Sequence, residues 1–270
     1  SKMSASKINT FSIGFEKKSF DESDKARTVA KLINSNHHEF ILNEDDLKDH
    51  VHDILINFDE PFSDSSSLPS FLVAKETSQH VKVALTGDGG DEMFGGYNKY
   101  YMGNINKKYT QLVPKGIHNT ISKAIEPLLN TKQDNRGMRF KIQRLLKAID
   151  YSGDYYWDII SLGFASNSLS FYLLPDYLMN NPFNYYKEAS GIKSPKSLTE
   201  YRAIDKQISL EGDMLVKVDR TSMLSSLECR APFLNKKIWN YANTLPENYL
   251  MKGFDKKHIL KAAFEKEFPK

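Results

Sequence analysis

The stretch LTGDGGDEMFGGY, Leu85–Tyr97, follows directly on a short apolar run, VKVAL at Val81–Leu85. It holds five glycines and three carboxylates in thirteen residues, a composition that suits the interior of neither a strand nor a helix. Because glycine permits left-handed backbone and close approach, such a loop can present its amide N–H groups to an anion. The sequence therefore predicts a strand that ends in an anion-binding loop.

The segments upstream of this loop alternate between the periods of strands and helices. Strand-like alternation occurs at Thr10–Phe15, His38–Leu42 and Val81–Leu85, and helical spacing occurs within residues 19–35, 43–58 and 71–79. A polar loop, DEPFSDSSSLPS, separates the last two helices. Strands that alternate with helices of this length predict an α/β fold, a parallel sheet with flanking helices. Ligands of such sheets bind at the carboxyl ends of the strands, where the glycine-rich loop lies.

Beyond Tyr101 the pattern becomes mostly helical. The segment Thr199–Leu224 has helical spacing, whereas residues 185–198 resemble a loop. We therefore predict two parts, an α/β core at residues 1–101 and a mostly helical part at residues 102–270.

The composition excludes several classes of protein. The 270 residues carry 37 Lys+Arg and 34 Asp+Glu, a formal net charge of +3, which is too small for a dedicated nucleic-acid binder. Since no run of about 18 apolar residues occurs, we expect no membrane-spanning helix. One cysteine, Cys229, allows neither an internal disulfide nor a cysteine-based zinc site, and it favours a cytoplasmic location.

The carboxylates of the glycine-rich loop indicate magnesium chemistry. Asp88, Asp91 and Glu92 are hard oxygen ligands of the kind that Mg²⁺ prefers, and Mg²⁺ commonly bridges phosphates. The loop is not a Walker A motif, because Gly96 and Tyr97 stand where Lys and Ser/Thr are needed. The combination suggests a magnesium–polyphosphate site. A glycine-rich turn whose aspartates cap the next helix remains the alternative.

Two downstream segments contribute cations. Arg220 and Arg230 could hold a carboxylate or phosphate through paired hydrogen bonds, although ion pairing with groups such as Glu228 is an equally good interpretation. Lys256 and Lys257 stand near the start of a predicted helix, where cations oppose the helix dipole. A lysine at that position is either solvated or has a specific anion to meet.

Four segments together resemble the synthetase domain of the glutamine-hydrolysing asparagine synthetases. They occur in the order and spacing of that family: FDEPFSDSSSLPSF, LTGDGGDEMFGGY, LVKVDRTSMLSSLECRAPFLNKK and DKKHILKAAF. The resemblance implies an ATP-pyrophosphatase-type α/β fold, similar to the adenine nucleotide alpha hydrolases, followed by a mostly helical C-terminal part. It also implies that ATP and aspartate form β-aspartyl-AMP and pyrophosphate. Ammonia, supplied from glutamine by a separate N-terminal glutaminase domain, then displaces AMP to give asparagine.

The resemblance also assigns roles to individual residues. Ile13 matches a position that lines the adenosine pocket, and Thr86 and Gly87 match a pair that contacts the nucleotide. Asp91 matches the aspartate that binds Mg²⁺ on pyrophosphate. Asp88 matches an acidic position, filled by Glu in some members, that serves adenylate formation and ammonia attack.

The remaining assignments concern the leaving group and the amino acid. Lys257 matches the lysine that stabilises the charge of departing pyrophosphate. Four residues fall in a motif near the aspartate site: Asp219, Arg220, Glu228 and Arg230.

Two features of the family do not occur in residues 1–270. One is the pyrophosphate loop, Ser-Gly-Gly-x-Asp-Ser, and the other is the glutaminase domain with its cysteine nucleophile. We therefore expect these residues to be an inactive fragment of a longer synthetase. Because a missing strand leaves an unpaired sheet edge, we also expect the fragment to self-associate.

Three other functions remain open. The chain could belong to a related amidotransferase or cyclase that activates another carboxylate. It could also be a Mg²⁺-dependent phosphohydrolase that uses Asp88, Asp91 and Glu92, or an interaction module without catalytic activity.

Overall fold

The computed structural model describes residues 2–16, 21–129, 142, 146, 149–160, 171–177 and 182–268. The chain forms two compact units. The first combines residues 1–90, 210–244 and 259–270, and the second combines residues 91–209 and 245–258. The division at residue 101, inferred from the change in sequence pattern, stays a prediction. Within the described ranges, no helix is both long and apolar enough to cross a lipid bilayer.

Two pairs of parallel strands form the sheets of the first unit. Strand β1 (Asn9–Phe15) pairs with β2 (Asn36–Leu42), in a register that places Asn9 opposite Asn36 and Phe15 opposite Leu42. Strand β3 (Val83–Leu85) pairs with β4 (Glu228–Arg230). The α/β class with parallel strands is thus confirmed, although the described strands form two separate two-stranded sheets.

Three helices accompany the first strand pair. Helix α1 (Ser23–Leu32) is the crossover that two adjacent parallel strands require. Helix α2 (Glu44–Leu55) begins with a capping box, because the Asn43 side chain accepts hydrogen bonds from the amides of the first turn. Helix α3 (Ser67–Ser78) begins inside the segment DEPFSDSSSLPS, so the polar loop predicted there, the serine-rich loop, ends at Ser66. The shared core comprises buried Leu42, Ile54, Phe71 and Leu72, with the partly buried Ile13, Phe15, Phe58 and Leu68 packed against it.

The remaining described α-helices and one π-helix follow β3 in chain order. They are α4 (Gly90–Phe94), α5 (Asn98–Leu112), α6 (Lys115–Leu129), α7 (Tyr155–Ile160), α8 (Pro182–Ser190), α9 (Leu198–Asp205), a π-helix (Lys206–Leu215), α10 (Val216–Leu224), α11 (Lys236–Thr244), α12 (Glu247–Leu250) and α13 (His258–Ala263). Two short 3₁₀-helices lie at Pro175–Tyr177 and Pro232–Leu234. The helical interpretation of Thr199–Leu224 is confirmed. The loop predicted at residues 185–198 is wrong over its first half, since α8 runs to Ser190.

Buried aromatic side chains form the centre of the second unit. Tyr156 stacks on Tyr201 with ring centroids 4.3 Å apart, and on Tyr100 with centroids 6.3 Å apart. Trp157 is also buried, and its Nε1 donates a hydrogen bond to the Lys193 carbonyl oxygen at 3.1 Å. Rigid rings from three separate helices thus hold α5, α7 and α9 together.

Candidate active site

The first half of the glycine-rich loop continues the pairing of β3 with β4. The amide of Thr86 donates to the carbonyl oxygen of Arg230 at 2.9 Å. The Thr86 hydroxyl then donates to Oδ2 of Asp88 at 2.6 Å. Gly89 has a φ of +80°, and a Cβ there would overlap the side chain of Leu234. The loop therefore requires glycine at position 89, and Thr86 fixes the orientation of the Asp88 carboxylate.

A cavity of about 750 Å³ lies beside this loop, within the first unit. The start of β1, Asn9–Phe11, forms one wall, and β3 with Thr86 and Asp88 forms another. Residues of α3 and α10 line the remaining sides. This volume falls in the range of small-molecule sites, roughly 300–1,000 Å³. The cavity separates strands of the two sheets and has Asp88 on its wall.

A second cavity, of about 340 Å³, also borders Thr86 and Asp88. Asp219 from α10 and Glu228 from β4 line it as well. The structure therefore gathers residues assigned to the nucleotide and to the amino acid around one space. Gly87 is exposed, and a Cβ there would meet no heavy atom within 4 Å.

The other assigned residues of the first unit lie apart from these cavities. Arg220 forms an ion pair with Asp59, and Nε of Arg230 donates to Oε1 of Glu228 at 2.7 Å. Both arginines thus show the internal ion pairing that the sequence left open. Ile13 lines a separate cavity of about 500 Å³ and also packs against the apolar core.

In the second unit, Asp91 and Lys257 form an ion pair. Nζ of Lys257 lies 3.1 Å from Oδ1 of Asp91, and the two side chains are 35% and 36% exposed. Both groups can therefore also contact a ligand from solvent. Lys257 holds a φ of 52°, a left-handed conformation that is uncommon outside glycine. Such strain persists only where the surrounding structure imposes it, and it is frequent at functional sites.

Gly96 leaves the space that the ion pair occupies. A Cβ on Gly96 would overlap both Oδ1 of Asp91 and Cε of Lys257. The Gly96 amide also donates to the carbonyl oxygen of Asp91 at 2.9 Å. Glycine is therefore needed here for close approach of two side chains, without any requirement for positive φ.

The neighbouring carboxylate, Glu92, is buried and already has a hydrogen-bond partner within the protein. It is 1% exposed, and it accepts a hydrogen bond from the Tyr97 hydroxyl at 2.6 Å. Burial raises the pKa of Glu92, and burial together with the hydrogen bond to Glu92 raises the pKa of Tyr97. Glu92 thus differs from Asp91, whose carboxylate reaches the surface.

The second unit offers a limited donor set for a metal ion. Over the ranges that the structure describes, no three or more His, Cys, Asp or Glu side chains converge to hold one. Mg²⁺, however, is often bound by one or two carboxylates together with waters and substrate phosphates. Asp91, partly exposed beside an ammonium group, fits that mode of binding. A magnesium ion carried by a polyphosphate ligand is the form that this site could accept.

Sequence reasoning missed a buried ion pair in the first unit, between Lys217 and Asp64. Lys217 is 5% exposed, and its Nζ donates to Oδ2 of Asp64 at 2.7 Å and to Oγ of Ser66 at 2.8 Å. Burial alone would raise the pKa of Asp64, but hydrogen bonds from Lys217 and Ser66 outweigh it and lower that pKa. The contact fixes the serine-rich loop to α10. Its sequence signal was only a lysine beside an apolar helix turn.

Replacing Lys217 with Met should lower the free energy of unfolding by about 3 kcal/mol, because a partly buried carboxylate loses its partner. Urea unfolding of the purified protein measures this difference. The contribution of the pair is lost as Asp64 is protonated, so the difference should narrow as the pH falls below 3.8. Lys25→Met is the matched control, since Lys25 pairs with Glu22 at an exposed position and should change stability by less than about 0.5 kcal/mol. Equal effects of the two variants would contradict the prediction.

Comparison with known proteins identifies relatives over the whole chain. The profile of the asparagine synthase family matches residues 1–270. The chain is 30% identical to the glutamine-hydrolyzing asparagine synthetase 1 of Bacillus subtilis over 265 residues. This alignment covers 96% of the chain and 40% of the Bacillus protein. The chain is 33% identical over 106 residues to asparagine synthetase 3 of Arabidopsis thaliana, covering 38% of this chain and 18% of that protein. The chain thus spans about two fifths of the length of the relatives that match nearly all of it.

Proposed function

The chain belongs to the asparagine synthase family, and we propose that the protein containing it is an ATP-dependent, AMP-forming ligase that converts aspartate to asparagine. The observation that carries this proposal is the Asp91–Lys257 pair, 3.1 Å apart. It joins the glycine-rich loop to the KKH segment, two motifs that are remote in sequence. A carboxylate suited to Mg²⁺ beside an ammonium suited to phosphate is what departure of pyrophosphate requires.

The first step is adenylation of aspartate. A side-chain carboxylate oxygen of aspartate attacks the α-phosphorus, a new P–O bond forms, and the bond to the β-phosphate oxygen breaks. Negative charge accumulates on the departing pyrophosphate, and the Lys257 ammonium stabilises it. Asp91 would hold Mg²⁺ on the same group, and the metal would supply further neutralisation of charge. Attack at phosphorus needs positioning and charge stabilisation more than covalent help from the protein.

The second step replaces AMP with ammonia. The nitrogen attacks the acyl carbon, the bond to the AMP oxygen breaks, and the new amide loses one proton. Asp88 is a suitable acceptor for that proton because the residue carries a carboxylate and lines both the 750 Å³ and the 340 Å³ cavities. The hydrogen bond from Thr86, at 2.6 Å, keeps the carboxylate in one orientation.

The large and small cavities are proposed to take the nucleotide and the amino acid, respectively. Thr86 and Asp88 border both, which would place the α-phosphate and the attacking carboxylate near these residues. Asp219 and Glu228 face the smaller space and would contact the α-amino group of aspartate. Arg220 and Arg230 would have to exchange their present carboxylate partners for the α-carboxylate of the substrate.

The partners of this reaction are proposed from the relatives. Their names describe glutamine hydrolysis, so we propose glutamine as the source of ammonia and a glutaminase domain elsewhere in the full-length protein. Cys229 is a free thiol, and burial raises its pKa, which supports a structural side chain rather than a nucleophile. A cytoplasmic location is proposed from the presence of a single cysteine in the 270 residues.

Self-association of residues 1–270 is also proposed. In the part of the chain that the structure describes, β1 pairs only with β2 and β3 only with β4, while Ile41 on β2 is 63% exposed. Open strands with exposed apolar side chains favour pairing between copies. Analytical ultracentrifugation of the 270-residue chain should detect dimers or larger species at micromolar concentration. A single monomeric species there would contradict the proposal.

One assay tests the proposed reaction. The full-length protein is incubated with MgATP, aspartate and ammonia, and asparagine, AMP and pyrophosphate are quantified together by mass spectrometry and a coupled assay. Equal amounts of the three products are expected, with none formed when aspartate is omitted. AMP without asparagine would indicate another carboxylate substrate, and inorganic phosphate released from simple esters would indicate a phosphohydrolase.

A further inference from the structure

Arg202 is a buried cation in the second unit that the proposed chemistry does not use. It lies on α9 and is 3% exposed. Its Nε donates to the carbonyl oxygen of Glu92 at 2.8 Å, and its Nη2 donates to that of Met93 at 2.7 Å. One guanidinium therefore binds two consecutive carbonyl groups at the end of α4.

These carbonyl groups need a partner from outside their own helix. Helix α4 has five residues, and the last carbonyl groups of a helix have no intrahelical donor. The planar guanidinium presents parallel N–H groups that match two such acceptors, and a cation is favourable at a helix C-terminus. Burial lowers the pKa of Arg202, yet an arginine remains protonated at neutral pH. The contact thus fixes the end of α4 in position.

Helix α9, which carries Arg202, also binds the segment that follows α4. Asp205, one turn after Arg202 on α9, is fully buried. Its carboxylate accepts hydrogen bonds at 2.7 Å from the Lys99 ammonium and from the Tyr100 hydroxyl at the start of α5. Helix α9 therefore binds the chain on both sides of Gly96.

We propose that Arg202 is a positioning residue for pyrophosphate departure, acting through Asp91. Because α4 is a single short helix, its fixed C-terminal end determines where the Asp91 carboxylate on its first turn lies. Without that constraint, the carboxylate would no longer stay 3.1 Å from Lys257, in the position from which it would hold a magnesium ion carried by pyrophosphate. This inference rests on the proposed function, since it concerns the same site.

A positioning role differs measurably from a purely structural one. Loss of Arg202 should weaken binding of magnesium pyrophosphate and lower kcat, whereas the KM for aspartate should change little. In a variant whose residue 91 cannot bind the metal, replacing Arg202 should cause no further change in pyrophosphate binding or kcat. If Arg202 only stabilised the fold, the free-energy losses caused by changing Arg202 and by changing Asp91 would add.

The experiment uses Arg202→Lys in the full-length protein, with Arg27→Lys as the matched control because Arg27 is half-exposed and pairs with Asp24. Isothermal titration calorimetry measures binding of Mg²⁺ with inorganic pyrophosphate, and steady-state assays give kcat and KM. We expect R202K to weaken this binding at least 10-fold and R27K to change it less than twofold. In the Asp91→Asn background, R202K should cause no further loss.

Three results would overturn the inference. They are unchanged binding in R202K, a further 10-fold loss when R202K is added to D91N, and an equal loss in R27K. Failure of the unmodified protein to bind magnesium pyrophosphate or to form AMP would instead refute the proposed function itself, and this inference with it. If R202K does not fold, hydrogen exchange of the unmodified protein tests whether α4 and the residues after it are held as firmly as α9. Amides 91–96 should then exchange as slowly as those of α9, and rapid exchange would overturn the inference.

Discussion

Replacing Lys257 with Met is expected to reduce the formation of AMP and pyrophosphate by about 10²–10³-fold, the effect of removing one preorganised electrostatic contact from a transition state. Methionine keeps an unbranched apolar chain, one heavy atom shorter, and removes the ammonium group with its charge and its hydrogen-bond donors. The loss should appear in kcat, because the ammonium group matters most when charge develops on the departing pyrophosphate. The KM for aspartate should stay within about threefold, since the proposed aspartate contacts lie on other residues.

The adjacent lysine provides the matched control. Nζ of Lys256 donates a hydrogen bond to Oδ1 of Asn98 at 2.7 Å. Asp91 forms its ion pair with Lys257 and not with Lys256. Lys256→Met removes the same charge one residue away and should leave kcat within twofold. Release of pyrophosphate, followed in a coupled assay, compares the two variants. Equal losses of kcat in the two variants would show that the positive potential of the segment as a whole promotes pyrophosphate release. The specific Asp91–Lys257 contact would then have no role of its own.

The start of α3 shows what the sequence predicts and what it does not. Helical spacing indicated a helix from Phe71, but the helix begins at Ser67. Ser and Pro disfavour helix interiors, so the preceding segment resembled a loop. In the structure Pro69 lies in the first turn, where backbone N–H groups have no intrahelical acceptor and the missing N–H of proline costs little. Local composition therefore identified the helix and misplaced its beginning.

Helix α8 had a readable signal that the interpretation as a loop overlooked. Pro182 stands at its first position and Gly191, with a φ of +67°, directly follows its last residue. Proline at the start and left-handed glycine at the end are the common boundaries of a helix. The lysines, serines and glycine after Tyr186 concealed this pattern.

Strand β4 could not be predicted from local pattern. Glu228–Arg230 has three residues, too few to establish alternation, and it pairs with β3 far away in sequence. The π-helix at Lys206–Leu215 was hidden for a related reason, because its apolar spacing fits an ordinary helix. Tertiary pairing and backbone hydrogen-bond shifts leave no signature in residue type alone.

At the candidate site, residue types predict the chemistry of each side chain but not its environment. Asp91 and Glu92 are adjacent carboxylates with the same affinity for Mg²⁺ in principle. Only the structure separates them, since Asp91 reaches the surface beside Lys257 whereas Glu92 is buried under Tyr97. Burial, which depends on residues from several distant segments, therefore decides which carboxylate can bind a ligand.

Gly96→Ala is expected to lower AMP and pyrophosphate formation by about 10²-fold while leaving the thermal midpoint nearly unchanged. A methyl group at this position overlaps the Asp91 carboxylate oxygen and Cε of Lys257, both near the ends of flexible side chains. These side chains can move aside without disturbing the backbone, so the fold should tolerate the change. The ion pair cannot keep its geometry, and a displacement of about 1 Å in such a site can cost 10²-fold in rate.

Gly116→Ala is the matched control, because Gly116 lies in α6 and a Cβ there would meet no heavy atom within 4 Å. Alanine favours helix by about 1 kcal/mol over glycine, so this variant should be fully active and at least as stable. The double variant of Gly96→Ala and Lys257→Met tests the cause. If the methyl group acts by displacing the ion pair, the two losses will not multiply, because the second change removes a contact already broken. Full multiplication would show that Gly96 supports activity by another route, and a fully active G96A would show that catalysis does not depend on the 3.1 Å contact.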